Sequence, residues 1–215
     1  MAFRRSAVRS RSAPPSRRVV LLLLAGAVVL LAIAGGLVLA TRGGDAGGIG
    51  GPFTLTASPD GKTVTDRDFR SRYMLVYFGY TLCPDVCPTT LAQVAAALDM
   101  LGVDADRIRP VFVTVDPARD TPQLVRDYVA AFSPRLVGLT GTPAQIGAIE
   151  AEYRVYAERH VTGPGPGDYT MDHSSILYLI DPRGRFVEVL PADATAPAAA
   201  LAATLRAATS PNAAT

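Results

Sequence analysis

Two hydrophobic periods take turns along this chain between residues 52 and 208, and that alternation restricts its fold more than any other feature. YMLVYFGY (73–80), RPVFVTVD (109–116), RLVGLTG (135–141), SSILYLID (174–181) and RFVEVL (185–190) are short apolar runs rich in β-branched and aromatic residues, and they predict strands. Between them, PTTLAQVAAALDMLG (88–102) puts Leu91, Val94, Ala95, Leu98 and Leu101 on one helical face, with Gly102 as a stop. DTPQLVRDYVAAF opens with Thr121 as N-cap and Pro122 at the first helical position, and GTPAQIGAIEAEYRVY repeats the device with Thr142 and Pro143. Strands followed by capped helices predict crossover units and a largely parallel central sheet. FTLTASPDGKTVT (53–65), with its Asp-Gly turn, and DPRGRF (181–186) predict hairpins at the two ends. An Ala-rich helix over about 196–208 closes the pattern.

The expected fold class is therefore α/β: a thioredoxin-like sandwich with an N-terminal β-hairpin extension, preceded by a single transmembrane helix. The transmembrane expectation rests on Val19 to Ala40, 22 residues without a charge. As a helix this run is about 33 Å long, enough for a hydrocarbon core of about 30 Å. A cleaved signal peptide is the competing reading, but its apolar core is only about 7 to 15 residues. Six Arg crowd into residues 1 to 18, directly before the run, which places the N-terminus in the cytoplasm and the rest outside it, on a single-pass cell-membrane protein. Residues 43 to 215 carry 14 basic and 19 acidic side chains, so no basic patch calls for nucleic acid. The expected divisions are a basic segment (1–18), an anchor (19–40), a linker (41–51) with six Gly, a folded domain (52–208) and a disordered tail (209–215).

The only two cysteines lie together in GYTLCPDVCPTT, at Cys83 and Cys87. A strand ends just before them and a helix is expected from near Pro88, so the pair sits at a strand-to-helix turn. Helix N-terminal amides favour thiolate, the form that attacks disulfides and binds metals. A structural disulfide closing so short a loop stabilises by only about 2 kcal/mol in the chain-entropy model, a weak reason for the pair. A redox couple and a metal site remain. His173 stands at the mouth of the predicted strand 174–181, which in such a sheet lies beside the strand that delivers the cysteines. A lone histidine is more often merely solvated, yet this position lets an imidazole meet two thiolates. That Cys₂His set suits Cu(I) and is usable by Cu(II) or Zn(II), with copper favoured by softness and affinity order.

YFGYTLCPDVCPTTL, VTVDPARDTP and DYTMDHSSILYLIDPRGRF, in this order and spacing, resemble the Sco/SenC family of membrane-tethered copper chaperones. The resemblance covers essentially all of residues 52 to 190. It implies copper, as Cu(I) and Cu(II), bound by Cys83, Cys87 and His173. It also implies delivery to the dinuclear copper site of cytochrome c oxidase subunit II, or reduction of that subunit's cysteines, with subunit II or copper-donor chaperones as partners. Leu82 stands where many relatives carry His.

The alternative class is an enzyme: an extracytoplasmic thiol-disulfide oxidoreductase with Cys83 attacking and Cys87 resolving. The three-residue spacing between the cysteines, and His173 near the place where such enzymes carry proline, weigh against it. A peroxiredoxin-like peroxidase fits worse, because Thr81 stands too close to the cysteine. Among the remaining residues, Asp116 is a candidate for orienting a ligand or partner, against a plain turn before Pro117. Asp85 either raises negative potential at the metal or faces solvent, and Asp120 is assigned to the turn into the next helix. Met171 and Asp172 flank His173, and Met171 is read as core or loop. His160 is placed in a mobile loop. Phe78 and Tyr80 are expected to pack under the site and restrict water.

Overall fold

Tyr73–Gly79 (β3) carries one apolar residue after another, and all but the first are buried, as a strand covered on both faces requires. The computed structural model describes residues 48–57, 60–192 and 197–210. The expected anchor at 19–40 lies outside them, as do the basic segment and most of the linker. Ile108–Thr114 (β4) pairs parallel with β3, and Val137–Thr140 (β5) pairs parallel with β4.

The expectation of a largely parallel sheet is corrected here, because only those two pairs are parallel. Thr54–Ala57 (β1) and Thr63–Thr65 (β2) pair antiparallel with each other, and β1 pairs antiparallel with β5. On the other side Ile176–Ile180 (β8) runs antiparallel to β3, and Phe186–Pro191 (β9) antiparallel to β8. The full order is β2-β1-β5-β4-β3-β8-β9. Two-strand hairpins can only be antiparallel, so each end of the sheet escapes the crossover rule that governs its centre.

Among the described residues, four α-helices cover it. Val86–Leu101 (α1), Pro122–Ala130 (α2), Pro143–Tyr153 (α3) and Ala198–Ala208 (α4) are each one-sided. In α1 all five residues expected on the apolar face are buried, and α4 packs beside that helix. Tyr77 and Phe112 face this layer: their rings touch, and Phe112 meets Tyr128 of α2 at 5.5 Å. Phe78, the next residue of β3, points through the opposite face to Tyr153 of α3 and to Tyr178. At Gly138 of β5 a Cβ would stand 2.5 Å from Val125 Cγ1, so the missing side chain is what lets α2 lie this close to the sheet.

Both Thr-Pro starts behave as expected: Thr121 accepts from Leu124 N, and Thr142 forms a capping box with Gln145. Helix α1 starts two residues earlier than expected, so Cys87 lies within its first turn. Pro88 is tolerated there because first-turn N–H groups have no intrahelical partner to lose.

A second difference is the segment assigned to a mobile loop. Ala157–Val161 (β6) and Tyr169–His173 (β7) form a separate two-stranded ribbon, with His160 inside β6 and the turn closed by Thr162 N donating to Asp168 O at 2.7 Å. Its strands are mostly polar and solvated, and the only alternation in them is the short one of YTMDH. At the domain's margins, Gly50 N donates to Glu152 O at 2.8 Å. Thr209, assigned to the tail, is instead buried and accepts a bond from Arg107 on its carbonyl.

Candidate metal centre

β3 aims the chain at the site. Immediately after it, Cys83 N donates to Tyr80 O and the backbone turns into α1. Cys87, 0 % exposed, forms the floor, and Cys83, 9 % exposed, the wall. The Cys87 backbone N–H donates to Cys83 Sγ at 3.4 Å. A helix-terminal amide thus faces the first sulfur, as the turn position implies. Gly79 makes the packing possible, since a Cβ there would lie 2.9 Å from Cys87 Sγ and 3.0 Å from Phe112.

His173 reaches the same point from the ribbon. It ends β7 rather than opening β8, and the antiparallel pairing of Tyr77 with Leu177 sets the following strand beside the end of β3. Its Nε2 lies 3.3 Å from Cys87 Sγ, and its Nδ1 lies 3.1 Å from Ser174 O. A carbonyl only accepts, so Nδ1 donates to Ser174 O and Nε2 is the nitrogen turned to the sulfurs. Tyr77 and Tyr80 close on the imidazole edge-on at 6.1 and 6.0 Å between centroids. Phe78, expected beneath the site with Tyr80, is not there: strand alternation turns it to the other face of the sheet, and Tyr77 takes that place. The ligand atoms of Cys83, Cys87 and His173 all lie within 4.8 Å of one another.

The two thiols are unequal acids. The Cys87 thiol hydrogen-bonds Cys83 and, helped by His173 and by the Asp85 and Cys87 amides, lowers the Cys83 thiol to about 4 against the cost of burial. The same hydrogen bond and burial push Cys87 up. Burial, with Cys87 alongside, also pushes the Tyr77 phenol up, so a neutral hydroxyl lies against the pair. Of the pair, Cys83 is the stronger acid and Cys87 the weaker.

The acidic candidates separate. Asp85 is exposed and makes no side-chain cap bond to α1, so it faces solvent. Asp116 and Asp120 are both buried, in the loop joining β4 to α2. Asp120 does more than turn the chain: its carboxylate accepts from Thr81 Oγ1 at 2.6 Å, Thr81 N at 3.1 Å and Thr114 Oγ1 at 2.5 Å. It thereby ties down the residue two before Cys83, and desolvation raises its pKa. Asp116 accepts from the Tyr169 hydroxyl at 2.8 Å and from Arg119 Nε. It reaches the ribbon, not the sulfurs.

Asp172 is exposed and paired with His160 at 3.1 Å. Met171 packs on the core, and Leu82 is 57 % exposed beside the site. Sequence reasoning passed over Tyr169 and Arg119. The available signal was the alternation of YTMDH, which puts Tyr169, Met171 and His173 on one face of β7.

Residues 42–210 match the family model described as SCO1/SenC. Protein SenC of Rhodobacter capsulatus is 47% identical over 147 residues, covering 68% of this chain and 65% of that protein. Protein sco1 of Schizosaccharomyces pombe is 43% identical over 160 residues, 74% of this chain and 60% of that one. The chain therefore spans less than two thirds of the length of these relatives. Among solved structures, that of Bradyrhizobium japonicum ScoI with copper bound is 44% identical, covers 74% of this chain and 98% of that one, and superposes with a TM-score of 0.67. Arabidopsis thaliana ScoI with copper bound is 40% identical, covering 73% of this chain and 95% of that one, with a TM-score of 0.66. With the mixed sheet and the clustered sulfurs and imidazole already in place, these matches mean that the chain belongs to the SCO1/SenC family.

Proposed function

We propose that this chain is a copper-binding metallochaperone, with Cys83, Cys87 and His173 as ligands. It delivers copper to the dinuclear copper site of cytochrome c oxidase subunit II, or keeps that site's cysteines reduced. The observation that carries the reading is the convergence of two sulfurs and an imidazole nitrogen within 4.8 Å, the sulfurs from the turn after β3 into α1 and the imidazole from the end of β7. These donors fit copper. Thiolate sulfur and imidazole nitrogen are soft to borderline ligands, and no fourth His, Cys or carboxylate joins the group among the described residues, as a closed structural zinc site would want. Two relatives of this fold are described as having copper bound, which supports the choice of metal.

With Cys87 as floor and Cys83 and His173 outside it, incoming partner thiolates can replace the ligands one at a time. Residues 19–40 anchor the chain in the cell membrane, N-terminus in the cytoplasm, and the Gly-rich 41–51 segment keeps the domain close to a membrane-bound acceptor.

Titrating the reduced domain with Cu(I) against a competing chelator should give about one copper per chain. Cys83→Ala should abolish tight binding, because one sulfur and one nitrogen cannot hold Cu(I) against the competitor. His173→Ala should weaken binding and change the Cu(II) spectrum. A stoichiometry other than one, or unchanged affinity in Cys83→Ala, defeats the reading.

The unequal thiols favour a second reading, a thiol-disulfide oxidoreductase in which Cys83 attacks and Cys87 resolves. Rapid turnover of a peptide disulfide by the metal-free domain would put this activity first.

A further inference from the structure

Among the described residues, the ribbon that carries His173 pairs with no strand of the main sheet, so beyond the start of β8 the imidazole's position depends on other ties. We propose that Tyr169 is the positioning residue for His173, holding the root of β7 on the loop between β4 and α2; as a statement about copper this rests on the ligand set proposed above.

Tyr169 begins the strand that His173 ends, on the same face and about 13 Å away at the usual strand rise. It is buried. The Tyr169 hydroxyl donates to Asp116 Oδ1 at 2.8 Å. Its ring lies under the Arg119 guanidinium at 3.5 Å and the Arg159 guanidinium at 3.7 Å. Arg119 completes the clamp by donating to the carbonyls of Tyr169 at 3.0 Å and Gly167 at 3.2 Å, and from Nε to Asp116. Packing alone does not account for this arrangement, because Phe fills nearly the same volume without a buried hydroxyl aimed at a carboxylate.

The same loop grips the other half of the site. Asp120, four residues after Asp116, holds Thr81 and with it the turn to Cys83. One short loop therefore touches both halves of the site, alongside the β3–β8 pairing, with Tyr169 as its contact on the imidazole side.

Tyr169→Phe tests this. The variant should keep the wild-type circular dichroism and bind Cu(I) about tenfold more weakly, as loss of an orienting partner typically does. Its Cu(II) spectrum should move toward that of His173→Ala. In the metal-free reduced protein, nitrogen-15 NMR of His173 should show one Nδ1–H tautomer in the wild type and exchange broadening in Tyr169→Phe. Wild-type affinity, spectrum and His173 signals in the variant would overturn the inference, as would a lowered melting temperature with all three unchanged. A wild-type domain that holds copper without a nitrogen ligand would instead sink the copper reading, while the metal-free NMR comparison still decides the role of Tyr169.

Discussion

Gly79 is the residue on which the sulfur geometry most directly rests. The β3 backbone passes so close to α1 that an added methyl would sit 2.9 Å from Cys87 Sγ and 3.0 Å from the Phe112 ring. Neither neighbour has room to retreat, since Cys87 and Phe112 are both fully buried. Gly79→Ala should therefore cost about 1–3 kcal/mol of stability through overpacking, and should weaken Cu(I) binding by displacing Cys87. Gly147, in the middle of α3, is the control, because a methyl added there would meet nothing within 4 Å. Gly147→Ala should gain about 0.5–1 kcal/mol from helix propensity alone and leave copper affinity untouched. Denaturant midpoints and chelator competition on both variants check the pair, and a neutral Gly79→Ala would show that the close approach is not needed.

At the level of elements, the helices were legible wherever a local signal existed. Thr121-Pro122 and Thr142-Pro143 announced α2 and α3, and the capping box at Thr142 has a measurable consequence. Thr142 accepts from Gln145 N at 3.3 Å while Gln145 Oε1 accepts from Thr142 N at 2.8 Å. Thr142→Ala should cost about 1 kcal/mol in chemical denaturation. It should not change copper affinity, because α3 covers the face of the sheet away from the sulfurs. The three candidate ligands were legible from residue type and spacing, and their convergence followed from the antiparallel neighbour of β3. The ribbon was not legible. AERHV and YTMDH present polar residues to solvent on one side and lean on the domain through Ala157, Tyr169, Met171 and His173, so neither hydrophobic period is long enough to read. Asp116 and Asp120 were visible as residues, but their tasks were not: Tyr169 is 53 positions from Asp116 and Thr81 is 39 from Asp120. Such long-range partners leave no trace in local pattern.

Across the whole molecule, the balance of ionisable groups sets how stability responds to pH, and Glu150 on α3 is one group that acts on the acidic side of neutrality. Burial alone pushes its carboxyl up to about 7, from an ordinary value of 4.5. The unfolded chain releases this proton first, so as pH rises from about 4.5 the unfolded state gains an ionised, hydrated carboxylate that the folded state resists. The Glu150 contribution to stability therefore falls across the window from about 4.5 to about 7 and levels off above it. Asp181 acts in the opposite sense. Its carboxyl is held low despite burial by the backbone N–H groups of Arg185 and Arg183 and the Arg185 side chain, so its contribution is present above the ordinary aspartate value and lost only in acid. The two effects act in different ranges and can be separated. Because Glu150 is only partly buried, its full shift is screened to about 1 kcal/mol. Glu150→Gln should be more stable than the wild type at pH 7.5 by about that amount and nearly equal to it at pH 4.5. Melting temperatures of the metal-free reduced domain at the two pH values decide the matter: a difference between variant and wild type that does not grow with pH would mean that the Glu150 carboxyl is hydrated in the folded state.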